Sequence, residues 1–122
     1  KYGCGEGLCG ACTVLVDRKA VRSCLLEVKA VADKEVITVE GLAKNGDLHP
    51  LQKAFVAHDA LQCGYCTPGM IMNAYSLLLN TPKASRSQII QHMEGNLCRC
   101  GAHQRIVQAI QAAAQEMGGA QT

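Results

Sequence analysis

The hydrophobic and polar positions follow different patterns in the two halves of the chain. In the first half, the apolar run Val14–Val16 leads to a polar tip at Asp17–Lys19 and returns through Val21, which predicts a hairpin. The segment "EVITVEG", which ends at Gly41, predicts one further strand. The first half is therefore expected to form a small sheet.

A change of pattern marks the boundary between the halves. The turn-rich segment "LAKNGDLHP" places this boundary between Gly46 and Pro50. After it, apolar residues recur at three- and four-residue steps in four segments, which is the pattern of amphipathic helices joined by short loops. We therefore predict two domains, a strand-rich one over residues 1–48 and a four-helix bundle over residues 49–122.

The helical segments also carry start and stop signals. The apolar positions of the first segment run from Leu51 to Leu61, and those of the last run from Ile106 to Met117 before the pair Gly118–Gly119. The start signals are Pro50 for the first helix, the N-cap Thr67 with Pro68 for the second, and a capping box of Ser85 and Gln88 for the third.

Composition narrows the class of protein. Of the 122 residues, 48% are apolar, but there is one Phe and no Trp, so the core must consist of Leu, Ile, Val, Ala and Met. Sub-domains this small usually need metals or disulfides for stability. Twelve basic and ten acidic residues give a net charge of +2, too little for a nucleic-acid-binding surface. No apolar run reaches the eighteen residues typical of a membrane span.

Eight cysteines fall into two groups of four. An even number permits four disulfides, but disulfide-rich mini-proteins are usually loop-rich, whereas the second half of this chain is helical. Metal ligation is therefore the stronger interpretation. The first quartet is Cys4, Cys9, Cys12 and Cys24, and the second quartet is Cys63, Cys66, Cys98 and Cys100.

The first quartet has the spacing C-x4-C-x2-C-x11-C, whose first three cysteines match the plant-type pattern for a 2Fe-2S cluster. An anionic cluster needs N–H donors around it, and glycines let a loop wrap closely and point its amides inward. Four thiolates also suit zinc, but structural zinc usually takes two short knuckles separated by a spacer, which this pattern fits poorly. The glycines of this loop are Gly3, Gly5, Gly7 and Gly10.

The second quartet has the spacing C-x2-C-x31-C-x-C, which by itself leaves zinc and a 2Fe-2S cluster close to parity. Cys98 and Cys100 are too close in sequence for an unstrained disulfide. Both cysteine pairs precede predicted helices, before Pro68 and before Ala102. Helix N-termini offer free N–H groups and a positive dipole to an anion, which favours the cluster.

Three motifs together carry a family resemblance. "GCGEGLCGACTV", "LQCGYCTPGM" and "GNLCRCG", in this order, resemble the iron–sulfur small subunit of the molybdenum hydroxylases, the xanthine dehydrogenase and aldehyde oxidase family. "TVEGLA" followed by "LHPLQKAF" is similar to the link between the two halves in this family, and the resemblance runs from Lys1 to about Ile110. It implies an α+β fold, with a plant-ferredoxin-like β-grasp followed by a four-helix bundle, each holding one 2Fe-2S cluster.

The resemblance also implies cofactors and partners. Each iron of the helical cluster would take one ligand from "CGYC" and one from "CRC", and this cluster would lie beside the molybdopterin of a separate large subunit. Gln62 and Cys100 match positions that contact the pterin, through the side chain or its immediate surroundings. Electrons would pass from molybdenum through the helical cluster to the plant-type cluster, then to an FAD-binding subunit or a cytochrome. The chain itself would carry no catalytic residue.

The sequence departs from the family pattern at a few points. Family members carry roughly forty residues before the first cluster motif, which small-domain size limits also favour. Here Cys4 is preceded by three residues, so we expect the first hairpin and helix of the β-grasp to be missing from this sequence. Arg18 stands where a turn glycine is common, and "GAHQRI" stands where an aromatic residue often precedes the Arg.

Other functions and site residues stay open at this point. A free-standing two-cluster ferredoxin and a zinc-stabilised interaction module are the alternatives to a hydroxylase subunit. Arg99 is either a charge partner of the cluster or a residue that faces solvent or a partner. We expect a cytoplasmic location, or a periplasmic one within an exported complex. Residues expected to be structural rather than ligands are His49, His58, His92 and His103, because eight cysteines already complete two clusters, and most of Met70, Met72, Met93 and Met117.

Overall fold

The strand-rich half forms a three-stranded antiparallel sheet in the computed structural model, which describes residues 1–118. The strands are β1 (Thr13–Val16), β2 (Lys19–Arg22) and β3 (Val36–Ile37), in the order β2-β1-β3. The predicted hairpin is confirmed, with Thr13 paired to Arg22 and Val16 to Lys19. The third strand is shorter than its sequence pattern, because the chain turns into a single 3-10 turn at Val39–Gly41.

The two-residue hairpin loop adopts a strained backbone conformation. Asp17 and Arg18 have φ values of 49° and 70°, which match the two positive φ angles of a type I′ hairpin turn. Glycine is the residue that this geometry favours, so Arg18 occupies the left-handed region at some cost. The side chain of Asp17 compensates in part, since its Oδ1 accepts a hydrogen bond from the N–H of Glu35 at 3.0 Å.

The second half contains the four predicted helices. Their bounds are α1 (Pro50–Ala57), α2 (Thr67–Asn80), α3 (Arg86–Met93) and α4 (His103–Gly118). The capping box at the start of α3 is confirmed: Ser85 Oγ accepts from Gln88 N at 3.2 Å, and Gln88 Oε1 accepts from Ser85 N at 2.8 Å. Gly118 lies inside α4, and Gly119 is outside the described residues. No helix within residues 1–118 has the length and hydrophobicity of a membrane span.

Two helix boundaries differ from the sequence pattern. The helix α1 ends at Ala57 instead of continuing to Leu61, because Asp59 takes a left-handed φ of 54° and the N–H of Ala60 bonds to Phe55 O at 2.9 Å. Thr67 was expected to be the N-cap of α2, and this is wrong: Cys66 is the N-cap, and its carbonyl accepts from Met70 N at 3.0 Å. The hydroxyl of Thr67 has no hydrogen-bond partner.

A single hydrophobic core joins the helices to the sheet. Met70, Met72 and Met93 lie in it and Met117 packs against its edge, so the expected packing role of the methionines is confirmed. The helix α2 packs against β1 of the sheet, and α1 packs against α4. The largest fully buried side chains are Phe55, Leu15, Leu51, Met70, Met72, Ile89, Ile106 and Ile110.

Candidate iron–sulfur centres

The first quartet surrounds a loop whose amides point at cysteine sulfur. The N–H groups of Glu6, Leu8 and Cys9 donate to Cys4 Sγ at 3.3, 3.3 and 3.4 Å. The loop can turn this tightly because Gly7 holds a φ of 74°, in the left-handed region that a side chain would disfavour. These backbone hydrogen bonds from Glu6, Cys9 and Leu8 lower the pKa of Cys4 to about 6, which favours the thiolate form.

The remaining ligands of this quartet follow the same principle. Ala11 N donates to Cys9 Sγ and Cys24 N donates to Cys12 Sγ, at 3.4 and 3.3 Å. Burial opposes ionisation of Cys12, yet donors from Cys24 and Ser23 outweigh it and lower the pKa of Cys12. Burial and the hydrogen bond that Cys24 makes to Cys12 raise the pKa of Cys24. Side-chain hydrogen bonds join Cys4 to Cys9 and Cys12 to Cys24, and the charge of Cys4 also contributes to the raised pKa of Cys24.

The second quartet is assembled at the starts of two helices. Cys63 and Cys66 precede α2, while Cys98 and Cys100 precede α4. Ala102 N donates to Cys98 Sγ at 3.4 Å, and this bond contributes to the lowered pKa of Cys98 against the opposing effect of burial. Burial, followed by the hydrogen bond to Cys98, raises the pKa of Cys66 to about 12.

These contacts bring one thiol of each cysteine pair together. Cys66 contacts Cys98 directly and lies within electrostatic range of Cys63, while an N–H from Cys100 also contributes to the lowered pKa of Cys98. Within residues 1–118, no three His, Cys, Asp or Glu side chains are grouped as ligands of one metal ion. Each quartet supplies four thiols, and backbone N–H groups donate to the sulfurs of Cys4, Cys9, Cys12, Cys63 and Cys98, which suits anionic 2Fe-2S clusters.

A cavity of about 320 Å³ lies between the quartets. All four cysteines of the second quartet line it, and so do Cys4 and Cys9 of the first. Arg99 also lines it and is otherwise exposed. Gln62 is exposed. The loop that contains Gln62 is held at its start by Arg105, whose Nε donates to Asp59 O at 2.8 Å. The cysteines range from buried (Cys12, Cys98) through half-buried (Cys4, Cys9, Cys24, Cys66, Cys100) to exposed (Cys63).

The histidines have the structural roles expected of them where contacts are present. His49 Nδ1 caps α1 by accepting from Leu51 N at 3.1 Å. His103 is exposed, and its Nε2 accepts from Cys98 N at 3.4 Å. His58 and His92 are exposed. His49 thus supports the start of α1, and His103 supports the loop that carries Cys98.

Residues that the sequence pattern did not indicate connect the two quartets. Asn96 is 2% exposed, its Nδ2 donates to Gly10 O at 3.2 Å, and its Oδ1 accepts from Asn73 Nδ2 at 2.8 Å. Leu97 N donates to Cys9 O at 2.9 Å. Arg22 donates to carbonyls in both loops. The only sequence signal for Asn96 is its place directly before "LCRC", and nothing in the spacing relates it to Gly10.

A comparison with known protein families finds a match for each half of the chain. The family described as "2Fe-2S iron-sulfur cluster binding domain" matches residues 1–43, and the family described as "[2Fe-2S] binding domain" matches residues 38–111. Among curated relatives, the alpha subunit of the isoquinoline 1-oxidoreductase from Brevundimonas diminuta is 53% identical over 95% of this chain and 76% of its own length. The small subunit of the nicotine 6-hydroxylase from Paenarthrobacter nicotinovorans is 47% identical over 97% of this chain and 71% of its own length.

Solved structures agree with these relatives. The quinoline 2-oxidoreductase of Pseudomonas putida 86 superimposes with a TM-score of 0.92 at 41% identity, covering 99% of this chain and 75% of that chain. The aldehyde oxidoreductase of Desulfovibrio gigas gives a TM-score of 0.93 at 41% identity, covering 98% of this chain and 14% of that much longer chain. The resemblance carried by the cysteine motifs is thus confirmed, and the chain belongs to the 2Fe-2S-binding iron–sulfur subunits of the molybdenum hydroxylases.

Proposed function

We propose that this chain is the electron-transfer subunit of a molybdenum hydroxylase that oxidises an aldehyde or an N-heterocycle. The observation that carries the proposal is the cavity shared by the two quartets, since Cys4 and Cys9 line it together with all four cysteines of the second quartet. Clusters bound by these two quartets would lie near each other, so an electron could pass from one cluster to the other within one chain. The names of the relatives, which include an isoquinoline 1-oxidoreductase, a nicotine 6-hydroxylase and an aldehyde oxidoreductase, support the substrate class.

We assign the cysteines as follows. A 2Fe-2S cluster supplies one-electron transfer when it is bound, and this chain contributes four thiolates to each cluster. In the second quartet the contact between Cys66 and Cys98 supports one ligand from "CGYC" and one from "CRC" on the same iron. The first cluster is held by Cys4, Cys9, Cys12 and Cys24, and the second by Cys63, Cys66, Cys98 and Cys100.

The cofactor of the partner is expected at the second quartet. Gln62 is exposed and Cys100 is half-buried, so both are accessible from outside the chain. We propose that they contact the molybdopterin of a large subunit, while electrons leave the first quartet for an FAD-binding subunit or a cytochrome. We assign residues 1–48 and 49–122 to the two domains. Eight cysteines used as ligands instead of disulfides support a reducing compartment, so we propose the cytoplasm, with the periplasm as the alternative for an exported complex.

Iron and spectroscopic analysis of two variants tests the assignment. The purified full chain, with the subunits that copurify with it, should contain about four irons per chain and show two 2Fe-2S EPR signals on reduction. Cys24→Ser should remove the plant-type signal and leave the helical one, and Cys100→Ser should do the reverse, so each variant controls the other. Cys100→Ser should also slow electron exit from molybdenum.

Three outcomes would contradict the proposal. A colourless protein with zinc bound by four thiolates would favour an interaction module. A stable monomer with both clusters and no molybdopterin-containing partner would favour a free-standing ferredoxin. Loss of both signals in each cysteine variant would indicate unfolding and not separate clusters.

A further inference from the structure

The side chain of Arg22 joins two loops that carry cysteines of different quartets. Arg22 is the last residue of β2 and lies two positions before Cys24. Its Nη1 donates to Gly7 O at 2.8 Å and its Nη2 donates to Gly95 O at 2.8 Å. Gly7 lies in the loop between Cys4 and Cys9, and Gly95 lies three residues before Cys98. One guanidinium therefore holds both cysteine loops.

Neighbouring hydrogen bonds join the same two loops. Asn96 Nδ2 donates to Gly10 O, and Leu97 N donates to Cys9 O. Asn96 is fixed from behind by Asn73 on α2. The loop of residues 7–10 is thus fastened to residues 95–97 at three successive points, with Arg22 at the outer end.

We propose that Arg22 is a positioning residue that fixes the separation of the two clusters by fastening residues 7–10 to residues 95–97. This inference rests on the proposed function, because the rate of electron transfer between two carriers falls steeply as they move apart. Within residues 1–118 the hydrogen bonds of the Arg22 guanidinium go to the carbonyls of Gly7 and Gly95 and not to cysteine sulfur, so Arg22 acts through the two backbone segments.

The chemistry of this position suits arginine in particular. A guanidinium is a flat fork that donates to two acceptors in fixed directions, whereas an ammonium is a point donor on a flexible stem. The two carbonyls belong to residues 88 positions apart, from Gly7 to Gly95. Gly95 leaves room for the fork, since a Cβ there would lie 2.6 Å from Arg22 Nη2. Arg22 therefore donates to the carbonyl of Gly95, and the missing side chain of Gly95 leaves the space that the guanidinium occupies.

The test compares variants of the iron-loaded full chain, purified with its copurifying subunits. Arg22→Gln should raise amide hydrogen exchange roughly tenfold to hundredfold over residues 5–12 and 95–101, the range expected when bonds from a charged donor are lost. In the reduced protein each cluster is paramagnetic, and the magnetic broadening that each causes in the other depends on their separation. That broadening should weaken or become heterogeneous, with iron content and both individual signals retained. Arg22→Lys should give an intermediate result.

A second variant keeps the charge and removes the contact. Gly95→Ala should displace the flexible end of Arg22 and produce the same local exchange and the same loss of broadening. Gly41→Ala is its matched control, because the new Cβ would meet only Ile37 Cγ2 at 3.4 Å. Arg86→Gln is the control for the arginine change, since Arg86 Nη1 bonds to Gln111 Oε1 at 3.0 Å and so joins α3 to α4 instead of joining the two cysteine loops. Both controls should leave the intercluster broadening unchanged.

The outcomes separate this proposal from the proposed function. Unchanged exchange and broadening in Arg22→Gln and Gly95→Ala would overturn the positioning role. Uniformly faster exchange along the whole chain, with broadening preserved, would show that Arg22 only stabilises the fold and would overturn it as well. If Arg22→Gln does not fold, Gly95→Ala decides alone. A wild-type chain without 2Fe-2S signals would instead contradict the proposed function, and hydrogen exchange would still test the fastening of the two loops.

Discussion

The two quartets both consist of four cysteines, but the chain brings these cysteines together in different ways. The cysteines of the first quartet come from one continuous stretch, Cys4 to Cys24, and backbone N–H groups from within that stretch aim at their sulfurs. The second quartet joins Cys63 and Cys66 to a pair that lies more than thirty residues further along. Its geometry therefore depends on how α2 and α4 are placed relative to each other, in addition to local bonds such as that from Ala102 N to Cys98 Sγ.

The clearest electrostatic difference is between one cysteine of each quartet, since the pKa of Cys24 in the first quartet is also raised and that of Cys98 in the second is lowered. In the first quartet, N–H donors lower the pKa of Cys4 to about 6. In the second, burial raises the pKa of Cys66 to about 12, which favours the neutral thiol until a metal centre binds. The first site is preorganised by its own loop, whereas the second is preorganised by the hydrophobic core. Damage to the core should therefore affect the second site first.

The largest effect should come from Ile106→Ala, which removes a core side chain beside the second quartet and should destabilise that site more than the first. Ile106 is 2% exposed, and its N–H bonds to Ala102 O at 2.9 Å in the first turn after the "CRC" motif. Removing a buried side chain of this size costs about 3 kcal/mol through lost burial and a cavity. Denaturant titration of the iron-loaded protein, followed by EPR, should show the helical cluster lost at lower denaturant than the plant-type cluster.

Ile90→Ala is the matched control for this change. Ile90 is 44% exposed on α3, so the same chemical deletion should cost well under half as much and leave the order of cluster loss unchanged. Simultaneous loss of both clusters in Ile106→Ala, at an unchanged order in the control, would contradict the independence of the two sites.

A smaller effect is expected from Gly69→Ala, which tests the contact between the two regions. A Cβ at Gly69 on α2 would lie 2.2 Å from Gly10 O and 3.1 Å from Ala11 Cα. Both atoms are backbone, so the first cysteine loop must move, at a cost of about 2 kcal/mol. Here EPR during denaturation should show the plant-type cluster lost first, the reverse of Ile106→Ala.

The control for Gly69→Ala is Gly41→Ala, which adds the same methyl group where it meets only one side-chain carbon at 3.4 Å. It should leave both denaturation midpoints near those of the wild type. Loss of the helical cluster before the plant-type cluster in Gly69→Ala would show that α2 moves and the first cysteine loop does not. That result would contradict the expectation that the first loop is displaced.

Local signals explain how much of the fold the sequence could predict. The hairpin and the capping box of Ser85 and Gln88 depend on residues within a few positions of one another, and both are confirmed. The predicted continuation of α1 to Leu61 is wrong because apolar periodicity persists beyond Ala57 while Asp59 turns left-handed. Asparagine, aspartate and glycine all reach that conformation, so Asp59 alone gave too weak a stop signal.

The sequence predicts the candidate ligands but not the hydrogen bonds that connect their loops. Cysteine spacing can be interpreted without a structure. Its assignment of the eight cysteines to two clusters stays a prediction, which the side-chain hydrogen bonds within each quartet support. The bonds from Arg22 to Gly95 and from Asn96 to Gly10 join residues 73 and 86 positions apart. No periodicity or motif encodes such a pair, because each depends on where the sheet and the helices come to rest against one another.

The smallest expected effect is a loss of stability at acidic pH, which we expect in the helical region because of His49. His49 is half-buried, its ring packs edge-on against Tyr75 at a centroid distance of 5.0 Å, and its Nδ1 must be unprotonated to accept from Leu51 N. Burial lowers the pKa of His49, and the carboxylate of Glu116 opposes this only in part. The unfolded chain therefore takes up a proton before the folded chain does. The resulting stability is present above the unfolded pKa of about 6.5 and is lost as the pH falls through the lower folded value.

The expected loss is about 1 kcal/mol, the usual contribution of a helix N-cap. It should appear as an acid-dependent fall in the denaturation midpoint of the helical cluster, because α1 packs against α4, which follows the "CRC" pair. His49→Asn supplies an N-cap that does not titrate, so it should keep the stability and remove this part of the pH dependence. Equal pH dependence in wild type and His49→Asn would show that His49 is not the acid-sensitive group, and an equal acid loss in the plant-type cluster would place the sensitivity outside the helical region.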